Sequence, residues 1–93
     1  MSVAAVIRQK LTVTFAPAEL VVLDESAKHA GHAGARPGGE THFDVRIVSA
    51  SFEGVSRVER QRRVYAVLAE ELKSRVHALS LTTLTPAEVW QEH

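Results

Sequence analysis

Residues 41–49 read THFDVRIVS, and polar and apolar side chains alternate from His42 to Ile47. Phe43, Val45 and Ile47 fall on one face of an extended chain, and the polar side chains fall on the other. Alternation with a period of two is typical of a β-strand with one buried and one solvated face. The stretch therefore predicts a half-buried strand against which the rest of the fold must pack.

The residues after this strand predict a helix and then a further strand. Ser56 and Glu59 have the spacing of a capping box, which would begin a long helix that reaches to about Lys73. The next apolar run, residues 76–83, predicts a strand, and a right-handed crossover would place it parallel to residues 41–49. The side chains that we expect the helix to bury are Val58, Tyr65, Leu68 and Leu72.

The two ends of the chain complete the predicted fold. Residues 19–26, ELVVLDES, predict a strand that forms a hairpin with residues 41–49. Apolar residues at helical spacing predict a first helix that ends before Pro17, with Arg8, Gln9 and Lys10 facing water. The apolar positions of that helix are Val3, Val6, Ile7 and Leu11.

A short closing helix is predicted after the last strand. Thr85, Pro86 and Glu88 suit its N-cap, N1 and N3 positions, and we expect it to carry Trp90 back toward the sheet. The expected fold is α/β (α+β), a small three-stranded mixed sheet with helices in the order α-β-β-α-β-α.

Composition limits what the chain can do. Its 93 residues predict a single domain, 1–93, and 11 basic against 11 acidic residues leave no net charge to drive non-specific binding to nucleic acid or membrane. The start, MSVAAVIRQKL, has no signal-peptide pattern, and no apolar run approaches 18 residues, which predicts a soluble, cytoplasmic protein without membrane contact. No catalytic triad pattern or phosphate loop is present, so we do not expect an enzyme.

A long Gly-rich loop is the main anomaly of the sequence. Residues 27–40, AKHAGHAGARPGGE, contain His29 and His32, and the predicted topology brings them near His42 and His77. With no cysteine in the chain, a metal would be held by His and carboxylates or shared with another protein.

Each histidine also has an ordinary interpretation. His77 shares a face with two leucines and could be a partly buried, hydrogen-bonded side chain at a strand end. His29 and His32 could be solvated linker residues, and His42 could position the loop.

A second candidate site is a run of arginines in the first turns of the long helix. Cations there oppose the helix macrodipole, which suggests a surface used for binding, either to phosphates or to a partner protein. Glu53 and Glu59 dilute the charge, so a solvated face is the alternative. The residues are Arg57, Arg60, Arg62 and Arg63.

Several motifs together resemble the BolA family over nearly the whole chain. No single motif is diagnostic, but the set in this order is highly specific. The motifs are DES (24–26), HA (29–30), GETHF (39–43), IVS (47–49), FEGVSRVERQRRVY (52–65), LAEEL (68–72) and VHALSLTTLTP (76–86).

The resemblance implies a fold similar to the class II KH domain and a partnership with monothiol glutaredoxins. Such pairs share a [2Fe-2S] cluster, with thiolates from the glutaredoxin and glutathione, so this chain alone would hold little or none. The implied ligands here are His29 and His77, and the near-repeat in the loop makes His32 an alternative to His29. The apo form would be a monomer or weak dimer.

The sequence therefore predicts a protein of iron-sulfur cluster trafficking or iron-responsive regulation. The alternative is a nucleic-acid-binding transcriptional regulator that uses the arginine-rich helix. BolA proteins as a family are implicated in transcription regulation, which keeps DNA as a candidate partner.

Overall fold

The computed structural model describes residues 1–26 and 41–92, which contain one three-stranded sheet. The strands are β1 (Glu19–Asp24), β2 (His42–Val48) and β3 (Ala78–Leu84), in the order β1-β2-β3. β1 and β2 are antiparallel, whereas β2 and β3 are parallel. The predicted hairpin, the parallel crossover and the mixed sheet are confirmed.

In residues 1–26 and 41–92, helical elements precede, connect and follow the strands. They are α1 (Val3–Phe15), the 3-10 turn (Ala50–Phe52), α2 (Arg57–Val67), α3 (Ala69–Ser74) and α4 (Pro86–Gln91). The Ser2 hydroxyl accepts a hydrogen bond from the Ala5 N–H at 3.0 Å and caps α1. Within the described part of the chain, no helix is long and apolar enough to cross a membrane.

The hydrophobic core lies between one face of the sheet and the helices α1 and α2. Phe43, Val45 and Ile47 of β2 are buried in it, as the alternating pattern predicts. The helices contribute Ile7, Leu11, Val64 and Leu68 among others, together with Phe52 of the 3-10 turn. The central strand therefore organises the core.

The long helix predicted from Ser56 to about Lys73 is two helices. Leu68, with φ −99° and ψ 16°, ends α2 and precedes α3, and it is buried as predicted. Val58 and Tyr65 are 61% and 39% exposed, so the prediction that they are buried is wrong. The buried face contains Arg60 and Val64 instead, because residues four apart lie on one side of a helix.

The closing helix α4 forms where predicted, but Trp90 does not pack on the sheet. Thr85 and Glu88 form a reciprocal capping box at its start. Glu88 and Glu92 lie one turn apart on the same side of α4, and they bind Arg60 and Arg46 at 2.6 and 2.7 Å. Trp90 falls between them in sequence and therefore points away, which leaves it 81% exposed.

A polar contact joins the first helix to α3. The Lys10 ammonium, which the sequence pattern placed in water, lies 2.9 Å from the buried carboxylate of Glu71. That expectation for Lys10 is wrong because its side chain, which is 33% exposed, reaches from α1 to Glu71 of α3. The class II KH likeness stays a prediction.

Candidate metal-ligand site

His77 lies immediately before β3, at the edge of the sheet where β2 also begins. Its main-chain N–H donates to the Thr41 carbonyl at 2.7 Å, and the Ala78 N–H donates to the same oxygen at 3.3 Å. The side chain is exposed, at the rim of a cleft of about 250 Å³ lined by residues 72–77. The backbone of His77 is therefore anchored while its imidazole is open to an approaching partner.

The partly buried alternative for His77 is wrong. Leu79 and Leu81 share its face and pack against the core, but His77 precedes the strand and extends past the edge of that core. An exposed imidazole at an anchored position is suitable for binding a metal from outside the fold.

His42 lies beside His77, as the topology predicts. The two rings are nearly parallel, at 11°, and their centroids are 6.2 Å apart. The Nδ1 atom of His42 is 2.8 Å from the Thr41 hydroxyl oxygen. Thr41 therefore contacts one imidazole directly and holds the backbone of the other.

The sequence patterns missed the residue pair that closes the base of the loop. The Ser26 hydroxyl oxygen accepts hydrogen bonds from the main-chain N–H groups of Thr41 and His42, at 2.9 and 3.2 Å. Ser26 and Thr41 are both buried, and the Asp24 carboxylate accepts from the Ser26 N–H at 2.9 Å. The sequence feature that could have indicated this pair is the position of Ser26 and Thr41, two small polar residues directly at the ends of two predicted strands.

The predicted loop ligands His29 and His32 lie outside the described residues. In residues 1–26 and 41–92, no group of three or more His, Cys, Asp or Glu side chains is arranged to hold a metal ion. Among the described residues, the imidazoles of His77 and His42 lie side by side at this end of the sheet.

The second predicted site is altered by the burial of Arg60, whose side chain is only 6% exposed. Its guanidinium donates to the carbonyls of Val55 and Thr83, at 2.8 and 3.1 Å, and forms a bidentate pair with Glu88. The prediction that Arg60 contacts nucleic acid or a partner is wrong, because all of these donors point inward. Its spacing of four from the buried Val64 was the signal for this burial.

The remaining arginines of α2 are exposed but have acidic neighbours. Arg62 and Arg63 lie 3.9 and 3.4 Å from the Glu59 carboxylate, and Arg57 lies 3.6 Å from that of Glu88. Two hydrogen bonds lower the pKa of Glu88 from 4.5 to about 2. The larger effect comes from Arg60, and the next comes from the main-chain N–H of Thr85. The positive charge of this face is therefore partly neutralised.

The chain matches known proteins across most of its length. A family model described as BolA-like protein matches residues 11–88. SufE-like protein 1, chloroplastic/mitochondrial, from Arabidopsis thaliana is 53% identical over 87 residues, which cover 89% of this chain and 24% of that protein. The DNA-binding transcriptional regulator BolA of Haemophilus influenzae is 40% identical over 88 residues, which cover 95% of this chain and 82% of that protein.

A solved structure shows the same fold. BolA1 from Arabidopsis thaliana matches with a TM-score of 0.85 at 48% identity, over 95% of this chain and 96% of that one. The chain spans 24% to 63% of the length of three curated relatives that it matches. The family model, the sequence identity and the shared fold agree, and the chain therefore belongs to the BolA-like protein family.

Proposed function

We propose that this chain shares a [2Fe-2S] cluster with a monothiol glutaredoxin and glutathione, in iron-sulfur cluster trafficking or iron-responsive regulation. His77 would be one iron ligand, and His29, or alternatively His32, would be the other from this chain. The observation that carries the proposal is the exposed imidazole of His77 on a backbone bonded to Thr41. The role is that of a binding partner and not of an enzyme.

The donor set of the chain fits half of such a site. Imidazole replaces thiolate on one iron of Rieske-type [2Fe-2S] centres, and this sequence has histidines but no cysteine. The second iron would need thiolates, which the glutaredoxin and glutathione would supply.

Each part of the described site has a distinct task in this proposal. The Thr41 carbonyl orients the main chain of His77, and the exposure of His77 lets the partner reach its ring nitrogen. When bound, the cluster would supply redox-active iron that can be passed to another protein. The His42 ring lies nearly parallel to the His77 ring, with the two centroids 6.2 Å apart.

A nucleic-acid-binding regulator is the second candidate. A relative from Haemophilus influenzae is named a DNA-binding transcriptional regulator, and Arg57, Arg62 and Arg63 are exposed on α2. Against it, Arg60 is buried, and Glu59 and Glu88 lie close to the other three arginines. The cluster-sharing function therefore ranks first.

We propose a cytoplasmic location. Two relatives carry the words chloroplastic or chloroplastic/mitochondrial in their names, so fractionation of cells that express the native gene is the direct test.

The deciding experiment is anaerobic co-purification with a monothiol glutaredoxin and glutathione, followed by iron counting and pulsed EPR of the reduced complex. We expect a mixed complex with two irons and strongly coupled imidazole nitrogens. His77→Ala should abolish the mixed cluster, whereas His93→Ala at the chain end should leave it intact. A mixed cluster without nitrogen coupling would remove the ligand assignment.

The same assay identifies the ligand from the loop. His29→Ala should weaken the mixed cluster more than His32→Ala, because His29 occupies the position that matches the family motif. If only the double change weakens the cluster, the two loop histidines are interchangeable and His29 is not the specific ligand.

A further inference from the structure

We propose that Thr41 is a positioning residue that holds the His77 imidazole in the orientation required to bind a metal. This inference rests on the proposed function, and Thr41 itself would not touch the metal. It differs from the ligand assignment because it concerns a buried hydroxyl group at the base of the loop. Thr41 is fully buried, at 0% exposure.

All three polar groups of Thr41 are engaged. Its N–H donates to the Ser26 hydroxyl, and its carbonyl accepts from the N–H groups of His77 and Ala78. Its hydroxyl oxygen lies 2.8 Å from Nδ1 of His42 and 3.3 Å from the Ser26 hydroxyl. Water does not reach this residue, so a bond lost here is not replaced by a bond to solvent.

Thr41 reaches His77 by two routes. The first is the main-chain bond of 2.7 Å, which fixes the position of the His77 backbone. The second passes through the Thr41 hydroxyl to His42, whose ring lies parallel to that of His77. Any residue at position 41 keeps the first route, but only a hydroxyl at this place keeps the second.

This difference makes the proposal testable with isosteric changes. Thr41→Val retains the shape and the backbone bonds but removes the hydroxyl. Thr41→Ser retains the hydroxyl and removes a methyl group. Thr83→Val is a matched control, because Thr83 is a buried threonine near the opposite end of the parallel strand β3.

The first readout is the χ1 rotamer of His77 in the apo protein, measured by three-bond NMR couplings. We expect one dominant rotamer in the wild type, in Thr41→Ser and in Thr83→Val, and averaging in Thr41→Val. If Thr41→Val does not fold, His42→Phe tests the same route, because it removes the Nδ1 contact with the hydroxyl. Averaging of the His77 rotamer is expected there too.

The second readout is the mixed complex with the glutaredoxin and glutathione. Changing a residue that orients a metal ligand commonly costs 10- to 100-fold in metal affinity, so we expect the Thr41→Val complex to lose its cluster to a chelator about tenfold faster, with altered nitrogen couplings. Thr41→Ser should keep the rate of cluster loss and the nitrogen couplings of the wild type.

The outcomes separate this inference from the proposed function. If the wild type forms no mixed cluster, the proposed function fails, and the rotamer measurement still decides whether Thr41 orients His77. An unchanged rotamer in Thr41→Val, or in its substitute His42→Phe, overturns the positioning role. The positioning role is also overturned if Thr83→Val averages the His77 rotamer as much as Thr41→Val does.

Discussion

At the residue scale, Arg60 shows how a charged side chain can be part of the interior. Its guanidinium bonds two main-chain carbonyls and the Glu88 carboxylate, and it lies 5.8 Å above the Phe52 ring. These partners belong to the 3-10 turn region, the end of β3 and the start of α4. Arg60 therefore connects elements that are distant in sequence.

Arg60→Ala should lower the free energy of unfolding by about 3 kcal/mol, because it leaves buried carbonyls without a donor and removes packing on Phe52. Arg63→Ala is the matched control on the same helix. Arg63 is 47% exposed and pairs across one turn with Glu59, so its loss should change stability by about 0.5 kcal/mol or less. Urea unfolding of both variants measures the difference, and equal effects would contradict the structural role of Arg60.

The pKa of Glu88 predicts how stability depends on pH. Because the folded state lowers this pKa from 4.5 to about 2, the carboxylate stabilises the fold fully above about pH 4.5. That stabilisation is lost as the pH falls toward 2. The difference in unfolding free energy between the wild type and Glu88→Gln should therefore shrink over this window. A difference that stays constant between pH 6 and pH 2.5 would contradict the assignment.

At the element scale, α4 is held by its polar side and not by its largest apolar residue. The capping box fixes its start, and Glu88 and Glu92 bind arginines of α2 and β2. This arrangement leaves the Trp90 side of the helix open to solvent.

Trp90→Ala should therefore change the free energy of unfolding by no more than about 0.5 kcal/mol, as is usual for exposed positions. Phe52→Ala, which empties a fully buried aromatic site in the core, should cost about 3–5 kcal/mol. Thermal or urea unfolding compares the two. A loss at Trp90 close to that at Phe52 would mean that α4 packs through its tryptophan.

At the scale of the whole molecule, charge balance governs binding to nucleic acid. The chain has no formal net charge, and the exposed arginines of α2 have acidic neighbours. We expect only weak, salt-sensitive DNA binding at about 150 mM salt.

If α2 contacts phosphates, Arg62→Gln should reduce the log-log salt slope of DNA affinity by roughly one unit. His77→Ala should leave that affinity unchanged, and fluorescence anisotropy over a salt series measures both. Tight, sequence-selective binding that survives His77→Ala but not loss of the arginines would place the regulator function first.

Most of the fold could be predicted from short-range patterns. Alternation along β2, the Val-rich run of β1 and the caps at Ser56 and Thr85 depend on neighbouring residues, and the structure confirms them. The topology could also be predicted, because the crossover in a strand-helix-strand unit is almost always right-handed. The positions of His77 and His42 at the same edge of the sheet could therefore be predicted from the sequence.

Only the tertiary structure decided which polar side chains lie inside. Arg60 is buried because Val55, Thr83 and Glu88 converge on it, and Trp90 is exposed because Glu88 and Glu92 direct the other side of α4 inward. Thr41 and Ser26 meet across the base of the loop for the same kind of reason. These contacts join residues far apart in the chain, and local periodicity carries information only about a residue's own helix or strand.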